Sequence, residues 1–248
     1  MPDCRHIAAP ICAFAIVAAL ASAWEFASPG SWAHAQPSRT TVADADLRDP
    51  ATITICTLPL GKYDRRLLRT AESGIQYLYG FSIKRLEARA MPRKAYYKPR
   101  KRYRAEKLLD YINERVRDPD CFAVIGFTRL DISTTKGDRY DWGILGLGEV
   151  GGTAAVVSSY RLVRRVKRRM AGMRTIKVVN HELGHVLGLD HYDGEAGCVM
   201  NDAKGTVKTV DREKGLLCQP SRDFLRKEHQ LALPEHRSFD WRAVELPR

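Results

Sequence analysis

The residues with the clearest chemical potential lie together in residues 181–191, HELGHVLGLDH, which fit the pattern H-E-x-x-H-x-x-G-x-x-H at all five fixed positions. Residues four apart on an α-helix lie one above the other, so His181 and His185 can present two imidazoles to one metal ion. Three neutral imidazoles are typical ligands of a catalytic zinc ion, whose fourth position stays open for water. The pattern therefore predicts a zinc site held by His181, His185 and His191.

Two further residues of this segment have predicted roles. Glu182 is adjacent to the first imidazole but is turned away from the metal, so its carboxylate can take a proton from a zinc-bound water and pass it to a leaving amine. Gly188 follows one turn after His185, where a glycine can adopt a positive φ, end the helix and return the chain to the metal. The predicted reaction is hydrolysis of a peptide bond. The alternative is a zinc-dependent peptide-binding module without turnover, which the presence of Glu182 argues against.

The elements that position this segment follow from the hydrophobic pattern. Apolar residues at helical spacing, Ile176, Val179, Leu183 and Leu187, give the motif helix one side that can pack against a sheet. Strands are predicted at residues 51–60, 121–127, 143–147 and 154–158, and further helices at residues 65–89 and 104–116. Because strands and helices alternate, the sequence predicts an α/β sandwich with a mixed sheet.

The N-terminal residues 1–35 are typical of a secretory signal peptide. A short basic start precedes an apolar run from about Ile7 to Ala23, and small-residue sites allow cleavage after Ala23 or after Ala35. The alternative, an uncleaved membrane anchor, is disfavoured because the run is at the short end for spanning a bilayer. No later segment is apolar enough to span. We therefore expect a secreted or periplasmic protein with a polar N-terminal tail at residues 36–50.

Cysteine usage agrees with export. Removal of residues 1–35 leaves Cys56, Cys121, Cys198 and Cys218. Four cysteines in an exported protein indicate disulfides, and three connectivities are open. Free buried thiols are the alternative if the protein is not exported.

The chain is basic, with a formal net charge of +12. Much of the excess lies in residues 84–107 and 161–177, which could contact nucleic acid, anionic lipid or acidic peptides. For both runs the favoured interpretation is a solvated helix face, so a specific nucleic acid partner is not predicted. A surface that binds polyanions is a third functional hypothesis, and these two runs are its support.

The motif helix followed by Cys198-Val199-Met200-Asn201 resembles the metzincin pattern, in which a methionine lies in a turn beneath the metal. The resemblance gives Met200 this structural role. Within the metzincins the sequence is similar to the archaemetzincins, since Cys198 precedes Met200 by two positions and seventeen residues separate Met200 from Cys218. Residues 121–132 and 154–162 also resemble segments of that family, and the resemblance covers roughly residues 51–225.

The resemblance implies a metzincin-like fold for residues 51–248: a mixed twisted sheet with an active-site helix in residues 51–191, and a small irregular C-terminal subdomain in residues 192–248. The metal is expected between the two parts. By the same resemblance, residues 154–158 would be an edge strand that holds an extended peptide by backbone hydrogen bonds. The expected partner is a peptide or protein substrate, and the expected state is a monomer.

Two departures from the archaemetzincin pattern matter. Tyr192 and Ser221 stand where the family has cysteines, and the spacing from the third histidine to Cys198 is one residue longer. The family uses its four cysteines to hold a second, structural zinc, so the resemblance implies that this site is lost and that one zinc remains. It further implies a Cys198–Cys218 disulfide and, with it, a Cys56–Cys121 disulfide.

Other polar residues are assigned to structure rather than chemistry. Asp190, Tyr192, Asp193 and Asp202 are interpreted as surface or supporting groups near the metal, Thr128 and Asp131 as a turn that closes a strand, and His229 and His236 as solvated.

Overall fold

The computed structural model describes residues 47–116 and 118–247, so the predicted signal peptide and most of the predicted tail lie outside the described residues. In chain order the elements are β1 (Thr54–Pro59), α1 (Arg65–Tyr79), β2 (Ser82–Arg85), β3 (Tyr96–Tyr97), β4 (Arg102–Arg104), α2 (Ala105–Arg115), β5 (Ala123–Thr128), β6 (Ile132–Lys136), β7 (Arg139–Ile144), β8 (Gly146–Gly148), β9 (Ala154–Ser158), α3 (Arg168–Val186), α4 (Val207–Arg212) and α5 (Gln219–His229).

Two mixed sheets organise these strands. The larger has the order β2-β1-β5-β9-β8, in which β2, β1, β5 and β9 are parallel and β8 is antiparallel to β9. The smaller has the order β3-β4-β6-β7. The mixed α/β fold expected from the sequence is confirmed, whereas the second sheet was not expected.

The core lies on both faces of the larger sheet, because successive side chains of a strand point to opposite faces. Ile55 of β1 belongs to a cluster with α1 and α3, and its neighbour Cys56 belongs to a second cluster with α2. The helices α1 and α3 approach closely, and a side chain at Gly74 of α1 would collide with Ile176 of α3. The apolar side predicted for the motif helix is therefore buried against α1 and the sheet.

The helix predicted at residues 65–89 is wrong in its second half. It ends at Tyr79 because Gly80 adopts a left-handed conformation, with φ 78°, and its amide caps the helix by donating to the carbonyl of Gln76. Residues Ser82–Arg85 then form β2, which pairs in parallel with β1. The predicted strand at residues 143–147 is also divided, since β7 ends at Ile144 and β8 begins at Gly146.

The prediction of solvated helix faces is wrong for the first basic run and correct only for the exposed start of α3 in the second. The first forms the short strands β2, β3 and β4 with turns between them, and it includes Arg85, which pairs with Glu72 through Nε at 2.8 Å, and the buried Arg104. In the second run Arg174 is buried and binds both oxygens of Asp211 at 2.7 Å. Each of these three arginines is therefore neutralised by a carboxylate of the fold.

Both expected disulfides are formed. Cys56 of β1 is joined to Cys121, just before β5, with a Cα–Cα distance of 5.6 Å. Cys198 is joined to Cys218, at the N-terminus of α5, with a Cα–Cα distance of 5.1 Å. The first crosslinks neighbouring strands of the larger sheet, and the second crosslinks the segment after the motif.

The C-terminal residues contain α4, α5 and irregular segments that pack back on the sheet domain. His229 and His236 were predicted to be solvated, which is wrong: each is half-buried, and their Nε2 atoms lie 2.8 Å from the carbonyl oxygens of Leu187 and Tyr77, respectively. Within residues 47–116 and 118–247, no helix combines the length and the apolar character that a membrane span requires.

Candidate metal centre and cleft

The C-terminal half of α3 and the turn after it bring the three histidines together. His181 and His185 lie one turn apart, with their Nε2 atoms 3.1 Å from each other. Gly188 has φ 88°, so the helix ends there and the chain turns back, which places Nε2 of His191 3.3 Å from Nε2 of His181. The grouping predicted from the spacing is thus present in the structure.

The outer nitrogens of two rings are fixed by backbone carbonyls. Nδ1 of His181 lies 2.7 Å from the carbonyl oxygen of Val199, and Nδ1 of His185 lies 2.7 Å from that of Leu189. Because a carbonyl oxygen only accepts, each Nδ1 must carry the proton, which leaves the lone pair of each Nε2 facing the other rings. This orientation is the one that metal-ligating histidines adopt.

Electrostatics and dimensions both fit a zinc ion. Burial lowers the pKa of His181 to about 3 and, with repulsion from His185, keeps its ring neutral. Burial also lowers the pKa of His185. In a tetrahedral site with zinc–nitrogen bonds of about 2.0–2.1 Å, two ligand nitrogens lie about 3.3 Å apart. In the described part of the chain, these three histidines are the one group of metal-ligating side chains that converges in this way.

Met200 packs against α3 at Gly184, which lies between His181 and His185 in the sequence. Its side chain is fully buried, and its Sδ is packed so closely against Gly184 that a side chain at that position would collide with it. The same loop carries Val199, whose carbonyl orients His181. This segment therefore packs against the helix that carries the histidines and orients one of their rings.

Glu182 lies on the neighbouring face of α3, next to the edge of the larger sheet. Glu182 is 6% exposed; a side chain at Gly146 of β8 would collide with its carboxylate, and one at Gly148 would collide with its backbone carbonyl. Burial raises the pKa of this carboxyl to about 8, opposed by the backbone amide of Gly148. The glycines of β8 thus allow the carboxylate to be held between helix and strand, beside the triad.

A cleft of about 320 Å³ opens in front of these groups. β8 lines one side, residues 202–205 line another, and the histidines and Glu182 lie along α3. The expectation that residues 154–158 form the edge strand is wrong, because β9 pairs with β5 on one side and β8 on the other. The edge of the sheet at the cleft is β8.

Two buried charged residues line the same cleft and were missed from the sequence. Lys177 lies one turn before His181, is 4% exposed and donates from Nζ to the carbonyl of Val210 at 2.8 Å. Glu213 follows α4 and is 6% exposed, and its burial raises the pKa of its carboxyl to about 8. The spacing of four residues before His181 could have identified Lys177. No local signal identifies Glu213.

The loop residues considered as supporting groups bind the loop itself. A carboxylate oxygen of Asp193 accepts from the amide of Asp202 at 3.1 Å, and Asp202 accepts from the amide of Lys204 at 2.7 Å. Asp190 is exposed at the rim of the cleft, and Tyr192 is half-buried.

The residues interpreted as a strand-closing turn do form a turn. Thr128 accepts from the amide of Leu130 at 3.2 Å. Asp131 has a second role that the sequence did not reveal, because its carboxylate pairs with Arg102 and Arg161, each at 2.8 Å from Nε.

Comparison with known proteins agrees with this geometry. The family model described as peptidase family M54 matches residues 65–227. An archaemetzincin of Haloarcula marismortui is 32% identical over 173 residues, which cover 65% of this chain and 92% of that protein. The crystal structure of the archaemetzincin from Methanopyrus kandleri superposes with a TM-score of 0.62 at 26% identity, covering 73% of this chain and 97% of the other. That of Archaeoglobus fulgidus gives 0.59 at 27% identity, covering 69% and 99%.

Proposed function

The chain belongs to peptidase family M54 and is an archaemetzincin-like zinc metallopeptidase, and on this premise we propose how its own residues perform the hydrolysis. The observation that carries the proposal is the convergence of three imidazole nitrogens beside a buried carboxylate. His181, His185 and His191 would hold one zinc ion, and Met200 would support them from below.

A zinc ion supplies Lewis-acid chemistry in such a site, because it lowers the pKa of water and polarises a carbonyl oxygen. The carboxylate of Glu182 accepts the proton of the attacking water and returns it to the nitrogen of the leaving amine. Its burial beside β8 keeps the carboxylate in one place, so that it reaches the water without competing for the metal. The carbonyls of Val199 and Leu189 hold the rings of His181 and His185 in the ligating orientation.

An extended peptide substrate fits along β8. This strand is short, pairs with β9 on one side and borders the cleft on the other, so a substrate strand can add to it by backbone hydrogen bonds. Gly146 and Gly148 leave the approach to the triad free of side chains. The substrate's scissile carbonyl would then face Glu182.

A single zinc per chain is supported by the cysteines. Cys198 and Cys218 are joined in a disulfide and so do not offer thiolates. Ser221 lies with its Oγ 3.3 Å from Sγ of Cys218, and Tyr192 carries a phenol, which is a much weaker zinc ligand than a thiolate. A second, structural zinc therefore lacks its ligands.

Export to an oxidising compartment is supported by the two disulfides, because such crosslinks persist outside the cytosol and are rare within it. Fractionation of cells that produce the chain, with the N-terminal residue of the recovered protein determined by mass spectrometry, tests this part. A start at Trp24, after cleavage at Ala23, or at Gln36, after cleavage at Ala35, supports export, and an intact N-terminus in the cytosol contradicts it.

The central experiment measures zinc and cleavage together. The wild type, Glu182→Gln and His185→Ala are analysed for metal content and for cleavage of a mixed peptide library, with and without chelator. We expect one zinc in the wild type and in Glu182→Gln, and little in His185→Ala. Cleavage should be seen in the wild type alone and should stop with chelator.

Each departure from this pattern is informative. Full cleavage by Glu182→Gln contradicts the assigned proton transfer, while zinc binding without cleavage by the wild type contradicts the catalytic proposal and favours a binding module. Two zinc ions per wild-type chain contradict the single-metal assignment.

A further inference from the structure

A second concave site lies at the opposite end of α3 from the histidines. It is a groove of about 920 Å³ whose lining includes Arg65, Arg66, Arg129, Arg164 and Arg168, and we call it the arginine groove. Thirteen residues of helix separate Arg168 from His181, which corresponds to about 20 Å at 1.5 Å per residue. The groove is therefore separate from the cleft that contains the metal centre.

The groove is located where the parallel strands of the larger sheet end. Tyr63 follows β1, Arg129 follows β5 directly and Ser159 follows β9 directly, and all three line it. In open α/β sheets the crevice outside the carboxyl ends of the strands is the usual place for ligands, especially where connections leave towards opposite faces. Here β1 leads into α1 on one face, whereas β5 leads into β6, whose Ile132 belongs to the cluster on the other face.

The first turns of two helices also reach the groove. Asp64 to Leu67 at the start of α1 and Arg168 at the start of α3 contribute to its lining. Asp64 already caps α1, since its carboxylate accepts from the amides of Arg66 and Leu67. The N-cap of α3, Lys167, gives no side-chain hydrogen bond, so the amides at that helix start add a partial positive charge next to the arginines.

The charges of the groove are unbalanced, in contrast to most of the basic residues described above. Its lining contains five arginines and one acid, Asp64. Among the described residues, none of these five arginines forms an ion pair, and all five are exposed. Arg85, Arg161 and Arg174 by comparison each bind a carboxylate. Five guanidinium groups that repel one another around a concave surface are stabilised when an anion enters.

We propose that the arginine groove binds an anion that carries two or more phosphate groups. A guanidinium group presents paired N–H donors in a fork that matches two oxygens of one phosphate, and five such groups exceed what a single phosphate can engage. The groove also contains the exposed Tyr160 and Val163, which can contact a less polar part of the same ligand. The ligand class is thus a diphosphate or a short run of phosphate groups.

The test uses inorganic pyrophosphate as the probe, titrated by calorimetry into the zinc-loaded full-length protein and into His185→Ala. The latter removes a metal ligand, so binding of pyrophosphate to zinc does not contribute there. The groove variant is Arg129→Gln/Arg168→Gln. The matched control is Arg93→Gln/Arg237→Gln, which removes the same charge from two exposed positions outside the groove.

We expect binding by the wild type, His185→Ala and the control variant. The groove variant should bind at least about tenfold more weakly, because it lacks two of the five guanidinium groups that would contact the phosphates. Equal loss of affinity in groove and control variants would mean general charge attraction and overturn the proposal. Loss of pyrophosphate binding in His185→Ala alone would mean that pyrophosphate binds at the metal, which also overturns the proposal. Equally tight binding of tricarballylate, a tricarboxylate without phosphate, would overturn the proposal as well.

Two sources of such phosphates are distinguished by a sedimentation assay with vesicles that contain cardiolipin, a lipid whose headgroup carries two phosphate groups. Sedimentation of the protein with the vesicles, together with its release by added pyrophosphate, supports a lipid headgroup as the ligand. Binding of pyrophosphate without retention supports a soluble ligand.

Discussion

Removal of the Cys198–Cys218 disulfide should weaken zinc binding as well as the fold. The segment it closes contains Met200, which packs under the triad, and Val199, whose carbonyl orients His181. The Cys56–Cys121 disulfide lies between β1 and β5, away from the cleft, and so provides a matched control. The variants are Cys198→Ala/Cys218→Ala and Cys56→Ala/Cys121→Ala.

The two crosslinks should differ in their contributions to stability. Their sequence separations are 20 and 65 residues. By the chain-entropy estimate these loops correspond to about 3 and about 4 kcal/mol of unfolding free energy at 25 °C. Urea unfolding of the metal-free proteins measures both losses without a contribution from zinc. The control pair should therefore lose more stability than the pair near the metal.

Zinc affinity should show the opposite order. Groups that hold a metal-ligating histidine through its outer nitrogen typically contribute a factor of about 10–100 in affinity. Competition with a chromophoric chelator should give a loss of about this size for Cys198→Ala/Cys218→Ala and none for Cys56→Ala/Cys121→Ala, under conditions where both variants are folded. Equal zinc affinity in the two variants would refute the reasoning, because the turn at Val199 and Met200 would then be held without its crosslink.

Three further predictions concern single residues. Asp131→Asn should lower the unfolding free energy by about 2 kcal/mol, because Arg102 and Arg161 lose their shared carboxylate. The control, Glu228→Gln on the exposed surface, should change it by less than about 0.5 kcal/mol. Equal effects of the two substitutions in urea unfolding would contradict the role of the buried network. Burial raises the pKa of Glu213 to about 8, so the folded state holds the proton of this carboxyl more tightly than the unfolded chain does. The wild type should therefore lose unfolding free energy as the pH rises from about 4.5 to about 8, and Glu213→Gln should lose less unfolding free energy over the same range. Parallel profiles of unfolding free energy against pH would refute this assignment. Gly148→Ala should destabilise the fold by about 1–3 kcal/mol and slow peptide cleavage, because the new Cβ would collide with the backbone carbonyl of Glu182. An unchanged unfolding free energy together with an unchanged cleavage rate would contradict the close packing of β8 on α3.

The sequence predicts the candidate metal centre of three converging histidines because that arrangement is local. Four of its groups lie within eleven residues, and helix geometry together with one glycine at φ 88° fixes how they meet. The helix over Arg168–Val186 and the buried strand Ala123–Thr128 were recognisable for the same reason, since their apolar spacing is regular.

The features that sequence reasoning missed depend on distant contacts. The smaller sheet is made of short strands such as Tyr96–Tyr97 and Arg102–Arg104, whose side chains show no alternation of apolar and polar residues. Their charge indicated a solvated surface, but Arg104 is buried because acceptors from other segments meet it. Glu213 reaches the cleft only through the packing of α4 against α3, which no local pattern encodes.

The bridge between Arg48 and Leu231 brings the two ends of the described fold together. The amide of Arg48 donates to the carbonyl of Gln230 at 2.6 Å, and the amide of Ala232 donates back to the carbonyl of Arg48 at 3.1 Å. Leu231 must therefore be synthesised before Arg48 can find its partner. The parallel pairing of β1 with β5 adds a second contact between distant segments, and such contacts form slowly. The pairing of Arg48 with Leu231 is therefore among the late contacts that a nascent chain makes.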